Sequence, residues 1–449
     1  MAQEKRIDLT EGPIGKQLLR FVWPIIIANV FQQIYNITNS LIVGNYIDTE
    51  ALSAVSATNS ITIITQYFYF GFSTATSILV ANYYGAGRKD KVKKAIETAF
   101  MVGITVGILF FGLLELCTPL LMRISNIDAS IYENAERYLR VYVIGDTPMM
   151  IYNICFFIMR SMGDSRTPTR YLIVSCLINL VLGIVFVGFM HMGVIGVALA
   201  TTIAQLIIAV MAVIRVLHLD EEIKIDLLHM QPDTSMIRSM FTLGIPAAFQ
   251  NILIALSEFT VQSYINMFSN EFIAGIGVAS KVSLWVHMPM HAVSTVATSY
   301  VGQNLGAGKY ERVKEGIRFC LRFAMAMTVV LAAIFFVFAP FMVSLFDRNP
   351  EVIRYGSIQT RLNVLSYIPL TWSHIYNGCC RGAGNVKAPM IIAVFSQCIV
   401  RFIFVTVGLK LYFSEIILYL SAPLAWSLAG VLALIYFHAS KYTKEAQLR

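Results

Sequence analysis

The chain has 449 residues, of which 57% are hydrophobic and only 13% charged, with a mean hydropathy of +0.67 and a net charge of +8. Soluble domains carry about 25% charged residues, so a water-soluble globule is excluded and a bilayer is the expected solvent. The positive charge does not indicate a nucleic-acid surface, because the basic residues lie in short segments between apolar runs.

Crossing about 30 Å of hydrocarbon takes about 20 helical residues. Runs of that kind predict spans at 17–43, 57–81, 92–121, 138–160, 168–190, 193–216, 238–268, 275–303, 317–345, 354–380, 389–411 and 414–438. A β-barrel would alternate over segments of about ten residues; these runs are continuous. The fold class is therefore an all-α membrane protein with twelve transmembrane helices. The opening stretch MAQEKRIDLTEGPIGK is polar and has no apolar core before a small-residue cleavage site, so no cleaved signal peptide is expected. Most Lys and Arg fall in segments on the N-terminal side. The opposite segments hold Arg123, Arg137, Arg140, Arg348, Arg354 and Lys410. That bias predicts cytoplasmic termini in a cytoplasmic (inner) membrane. The seven cysteines are scattered without a CxxC pair and read as small membrane residues.

The chain repeats itself. YYGAGRKDKVKKAI (83–96) resembles NLGAGKYERVKEGI (304–317), and RSMGDSRTP (160–168) resembles RGAGNVKAP (381–389), both at an offset of 221. Pro148 and Pro369 keep that spacing, and Pro24 and Pro246 differ from it by one. Each half holds an even number of spans, so the halves are parallel repeats of the kind that build transporters. The expected organisation is an N-terminal bundle at 1–216, a cytoplasmic linker at 217–237 and a C-terminal bundle at 238–449. The GAG motifs lack the GxxxxGK[ST] spacing of a phosphate loop and read as tight helix–helix turns that use left-handed glycine.

Four motifs in this order resemble the multidrug and toxic compound extrusion (MATE) family: VGNYIDTEALSAVS, RSMGDSRTP, GVIGVALATTIAQ and VGQNLGAGKYERV. The resemblance covers nearly the whole chain. It implies two pseudo-symmetric six-helix bundles around a central cavity, alternating access, and efflux of drugs or metabolites by Na⁺ or H⁺ antiport. It also implies acids that this sequence lacks. The YN-x-x-D stretch of the first helix reads Tyr35-Asn36-Ile37-Thr38-Asn39, and the Leu-Asp of the fifth reads Leu182-Gly183. The seventh-helix Glu and tenth-helix Asp of another branch fall on Ile254 and Leu370. No cofactor is expected beyond the coupling ion. The expected partners are a small-molecule substrate and membrane lipids, with no nucleic acid, for a monomer.

A charge at mid-membrane costs roughly 2.5–3.5 kcal/mol on the insertion scale, so each one calls for a reason. Glu258 shares a helix face with Asn251 and Gln262, at spacings i, i+7 and i+11. Gln32, Tyr35, Asn36 and Asn39 make a similar stripe on the first helix. Glu258 is expected to be the main cation-coupling carboxylate. Asp146 is the second candidate, in a Gly145-Asp146-Thr147-Pro148 stretch that Pro148 is expected to bend and open to water. The two stripes, Trp285, Met288 and Arg401 are the expected substrate-cavity lining, and Arg401 or Lys281 is the expected counter-ion of Glu258. His287 and His291 have metal-ligand spacing without an evident third ligand. A lipid-linked precursor flippase is the alternative function. No HExxH, GxSxG or GxGD enzyme motif is present.

Overall fold

The computed structural model describes residues 7–46, 49–124, 130–220, 222–223, 225–227 and 229–440, with the side chains of 35–46, 49–52, 56, 59, 60 and 124 outside the description. The helices of the first half are α1 (Ile14–Tyr46), α2 (Thr49–Gly85), α3 (Lys89–Ile124), α4 (Tyr132–Ile144), α5 (Asp146–Ser161), α6 (Arg166–Gly183) and α7 (Gly193–Leu217). Those of the second half are α8 (Thr234–Ile265), α9 (Asn270–Gly306), α10 (Tyr310–Val337), α11 (Ala339–Ser344), α12 (Pro350–Gly382), α13 (Lys387–Ala393), α14 (Arg401–Leu411) and α15 (Glu415–Ala439). A π-helical segment, Ile184–Phe189, extends α6, and another, Val394–Val400, joins α13 to α14.

Among the described residues, nine helices are long and apolar enough to cross a membrane, or ten when α4 and α5 are one span bent by 42°. The other two long helices, α2 and α12, carry more polar residues. With them the fold has twelve spans, six in each half of an all-α membrane protein. The bend of the fourth span falls at Gly145, just before Pro148, as the sequence suggests.

The two repeated motifs fold into the same two devices. Gly87 and Gly308 have φ of +67° and +68°, and Gly163 and Gly384 have +86° and +81°. At each turn the amide three residues past the helix end reaches back to a carbonyl of its last turn. The pairs are Arg88 to Tyr83 (3.1 Å), Lys309 to Asn304 (2.8 Å), Asp164 to Met159 (2.9 Å) and Asn385 to Cys380 (2.8 Å). This is the left-handed helix stop, in which glycine avoids the Cβ clash. The residue after Gly163 or Gly384 then caps the next helix. Asp164 accepts from the Thr167 amide (2.9 Å), and Asn385 from the Ala388 amide (3.2 Å), at the same offset of 221.

The described chain divides into two compact units. One holds Trp23–Ala248 with the described residues through Asp8; the other holds Leu9–Val22 and Phe249 onward. In the first unit α2 and α5 approach through small residues, and the Ser77 and Ser161 hydroxyls lie 2.8 Å apart. Phe68 stacks on Phe110 (4.4 Å between centroids) within the core of α2, α3, α5 and α7. The stretch between α7 and α8 docks on this unit by burying Leu219 and Ile223. Asp233 starts α8, accepting from the Ser235 and Met236 amides. The Ser235 hydroxyl and these amides hold its carboxyl below the usual carboxylate range.

In the second unit α9 and α12 are the counterparts of α2 and α5. A Cβ placed on Gly378 or Gly382 would lie 2.6 Å from the Ser294 carbonyl or 2.5 Å from that of Thr298. Thr298 instead donates its hydroxyl to the Gly378 carbonyl (3.0 Å). Small residues are the usual means of close helix approach where lipid removes the hydrophobic drive. α15 crosses α12 at Gly430, where a methyl group would overlap the Pro369 carbonyl. Leu9 and Gly12 enter this unit through their carbonyls, which accept from Asn304 (3.0 Å) and Arg312 (2.9 Å).

The Gly430 contact is testable. Gly430→Ala should destabilise the protein by about 1–3 kcal/mol, the usual cost of overpacking. Gly112→Ala, where nothing lies within 4 Å of the added methyl, should not. Unfolding of the purified protein in micelles measures both, and equal effects would contradict this packing.

Candidate functional site

Three polar constellations lie within the spans. The first is built around Asp146, the opening residue of α5. Gly145 precedes it, and the absence of a side chain there lets Gln205 and Thr202 of α7 press against the backbone. Thr202 donates to the Val141 carbonyl at 3.1 Å. On the other side Gln66 of α2 donates to the Tyr142 hydroxyl at 3.0 Å, and the Tyr69 hydroxyl faces the carboxyl. Asp146 is 0% exposed, and neither of its oxygens has a hydrogen bond of normal geometry among the described residues. No cation among the described residues acts on it. The expected wet environment is therefore not found.

The second constellation is the one the sequence stressed. Ser257 of α8 donates to the Gln397 carbonyl at 2.7 Å. One residue on, Glu258 accepts from Arg401 Nη1. The π segment Val394–Val400 carries Gln397 and ends at Arg401. Its wider turn changes the register of the helix and leaves both residues facing α8. The Arg401 side chain is 7% exposed and that of Glu258 54%. Glu258 is thus neither unpaired nor deeply buried, and its expected counter-ion is the one found. Lys281, the other candidate, extends over the Phe346 ring at 6.0 Å.

The third constellation is in the second unit, where α9 and α12 pack. His287 and His291 are joined by His374 of α12, with ring centroids 6.3 and 4.5 Å away. Trp426 of α15 packs edge-on to His287 at 5.0 Å, and Tyr367 lies at 6.2 Å. Tyr367 donates to Ser283, which also accepts from Asn363. No group of three His, Cys, Asp or Glu side chains among the described residues has a geometry that holds a metal ion.

The remaining expected residues are dispersed. Gln262 is exposed and donates to Asn266 at 2.8 Å. Asn251, Trp285 and Met288 are half-buried and Gln32 is exposed. The side chains of Tyr35, Asn36 and Asn39 lie outside the described residues. Two groups were not legible beforehand. His374 has no histidine neighbour in sequence, and only the half-repeat places α12 beside α9. Buried Asn179 donates to Thr201 at 3.0 Å, one turn before Gly183. A search for acids passes over such a neutral pair.

The repeated turns, the paired helices and the matching caps mean that one architecture occurs twice. The sequence matches the MatE family twice as well, over residues 24–185 and 246–407. The chain belongs to the MatE family. Among curated relatives, it is 26% identical over 406 residues to a probable multidrug resistance protein, YpnP, of Bacillus subtilis, covering 89% of each chain. It is 25% identical over 387 residues to the probable multidrug resistance protein NorM of Thermotoga maritima, covering 85% of this chain and 83% of that one. A MOP superfamily transporter from Pyrococcus furiosus, 17% identical over the whole of both chains, has the same fold with a TM-score of 0.91. MatE proteins are transporters, not enzymes, and the chain is a multi-pass membrane protein.

The Glu258–Arg401 pair yields a measurable coupling in this MatE protein. Glu258→Gln and Arg401→Gln should each lower stability, and the double variant should show a coupling energy of about 0.5–3 kcal/mol. Unfolding in micelles over the four proteins of the cycle measures it, and strict additivity would mean that the two side chains do not interact.

Proposed function

We propose that this MatE protein exports small organic molecules, cationic and amphipathic, in exchange for protons, and that Asp146 carries the proton. The observation behind this reading is the carboxyl of Asp146, fully buried and without a cation among the described residues. An ionised carboxylate in such a place is costly. Either of two ligands removes that cost, a proton on the oxygen or a cationic substrate nearby. A site that accepts one or the other in turn is what antiport requires, and by linkage each ligand weakens the other's binding by the same factor. Glu258 supports this role less well, because Arg401 already balances its charge. The Glu258–Arg401 pair, Gln32, Tyr35, Asn36, Asn39, Asn251, Gln262, Trp285 and Met288 are assigned to the substrate path. The transporter works as a monomer in the cytoplasmic membrane, with both termini inside and no cofactor besides the coupling ion.

The test uses the full chain in lipid vesicles with ethidium as the probe, and imposes pH and Na⁺ gradients separately. The pH gradient alone should drive accumulation, and Asp146→Asn should lower the dye ratio by about tenfold per pH unit of gradient while ethidium still binds. An undiminished dye ratio for Asp146→Asn under the pH gradient, or a drive from Na⁺ alone, would contradict the reading. Orientation is tested in cells with an impermeant maleimide and a background free of native cysteines. Arg348→Cys should react from outside and Asp90→Cys should not; the reverse pattern would invert the topology.

A further inference from the structure

The internal repeat relates the histidine cluster to the Asp146 site position by position. At the offset of 221, Asp146 corresponds to Tyr367, Gln66 to His287 and Gln205 to Trp426. In the first unit, Gln66, Gln205 and Asp146 gather where α2, α5 and α7 meet. In the second unit, His287, Trp426 and Tyr367 gather where α9, α12 and α15 meet. The same place in the fold therefore holds a carboxyl in one half and imidazoles in the other.

We propose that His287, His291 and His374 form a second proton-loading station in the C-terminal unit, equivalent through the repeat to the Asp146 site. This rests on the reading that protons drive export. Three observations and one property of imidazole carry it. His291 lies on the exposed side of α9. Its neighbour His374 is 4.5 Å away between centroids, and His287 lies beyond at 6.3 Å from His374. His287 Nε2 is buried with no hydrogen-bond partner among the described residues, so one nitrogen is free to take a proton. Imidazole is also the side chain that both accepts and donates a proton near neutral pH. The station takes up one proton as an N–H bond on an imidazole nitrogen, His287 Nε2 being the one without a partner among the described residues; no other bond changes.

The surroundings limit the station to one proton. The groups that act electrostatically on the three rings are the rings themselves and Arg381 of α12, whose Nη2 donates to Ser294 at 3.2 Å. Tyr367 touches His287 with its ring, and α15 contributes only the uncharged Trp426. Among the described residues no carboxylate acts on the cluster, and α10 and α11 bring no titratable group to it. With Arg381 already cationic and no carboxylate beside the rings, a first imidazolium is already opposed and a second would be opposed by both. The substrate's charge therefore works against the same proton, as it does at Asp146.

Two measurements on the full chain test this, one of which needs no substrate. Trp426 packs edge-on to His287 at 5.0 Å, so an imidazolium there quenches its emission. The wild-type minus Trp426→Phe difference emission should fall on acidification from pH 8 to 5, and His287→Gln should flatten that response. In vesicles with the membrane potential clamped, each exchanged proton multiplies the sustained ethidium ratio by about ten per pH unit of gradient. His287→Gln should thus lower that ratio about tenfold and leave residual pH-driven accumulation through Asp146. His291→Gln, on the exposed side of α9, serves if His287→Gln does not fold. An unchanged emission profile, or an unchanged dye ratio in a protein that uses the pH gradient, overturns the station. If the wild-type protein ignores the pH gradient, the proton-driven reading fails, and the emission profile alone decides whether the cluster takes up a proton.

Discussion

The close packing of α2 on α5, repeated as α9 on α12, is the contact on which the rest of the structure depends. Ser77 meets Ser161 in one unit, and Thr298 meets Gly378 and Gly382 in the other. In lipid there is no hydrophobic gain from joining two apolar helices, so small residues and short hydrogen bonds hold them together. That close approach also lets polar residues sit along the seam, shielded from hydrocarbon. The Asp146 site and the histidine cluster both lie beside these seams. α12 shows the arrangement most fully, burying Gln359, Asn363, Ser366, Thr371, Ser373 and Asn377 among neighbours that pair with them.

A helix that carries so many polar groups cannot face lipid, and each half keeps one such helix inside. This gives transport chemistry a place to occur at low cost to the fold. The halves have diverged in what they place there. One offers a carboxyl next to two tyrosines, the other a group of imidazoles next to a tyrosine and a tryptophan. A protonated carboxyl and a neutral imidazole are both uncharged. Uptake of a proton thus neutralises one seam and charges the other.

Much of the fold was legible in the sequence because it follows from solvent and from repetition. Long apolar runs fix spans, and the duplicated GAG and Arg-to-Pro motifs fix where they turn. The bend at Gly145 was legible from Pro148. What was hidden concerns the rotation of helices about their axes. The sequence left Arg401 and Lys281 both open as the counter-ion of Glu258, and it is the π segment Val394–Val400 that turns Arg401 toward it. No propensity scale signals one extra residue in a turn. Asp146 was expected to be wet because proline opens a helix, but Gly145 draws α7 over the gap and dries it. His374 is a single histidine in a polar helix until α9 is placed against it. The acids missing at Asn39 and Gly183 were legible, but their absence alone did not reveal the buried Asn179–Thr201 pair nearby.

Export by proton exchange requires one carboxyl that gains and loses a proton during the cycle, and Asp146 and Glu258 have very different surroundings. Infrared difference spectroscopy of the reconstituted protein, taken between acid and alkaline pH, reports such a group through the C=O stretch of its protonated form. The account predicts a carboxylic band that disappears in Asp146→Asn and persists in Glu258→Gln. A band that survives Asp146→Asn and is lost in Glu258→Gln would contradict it and return the coupling role to Glu258.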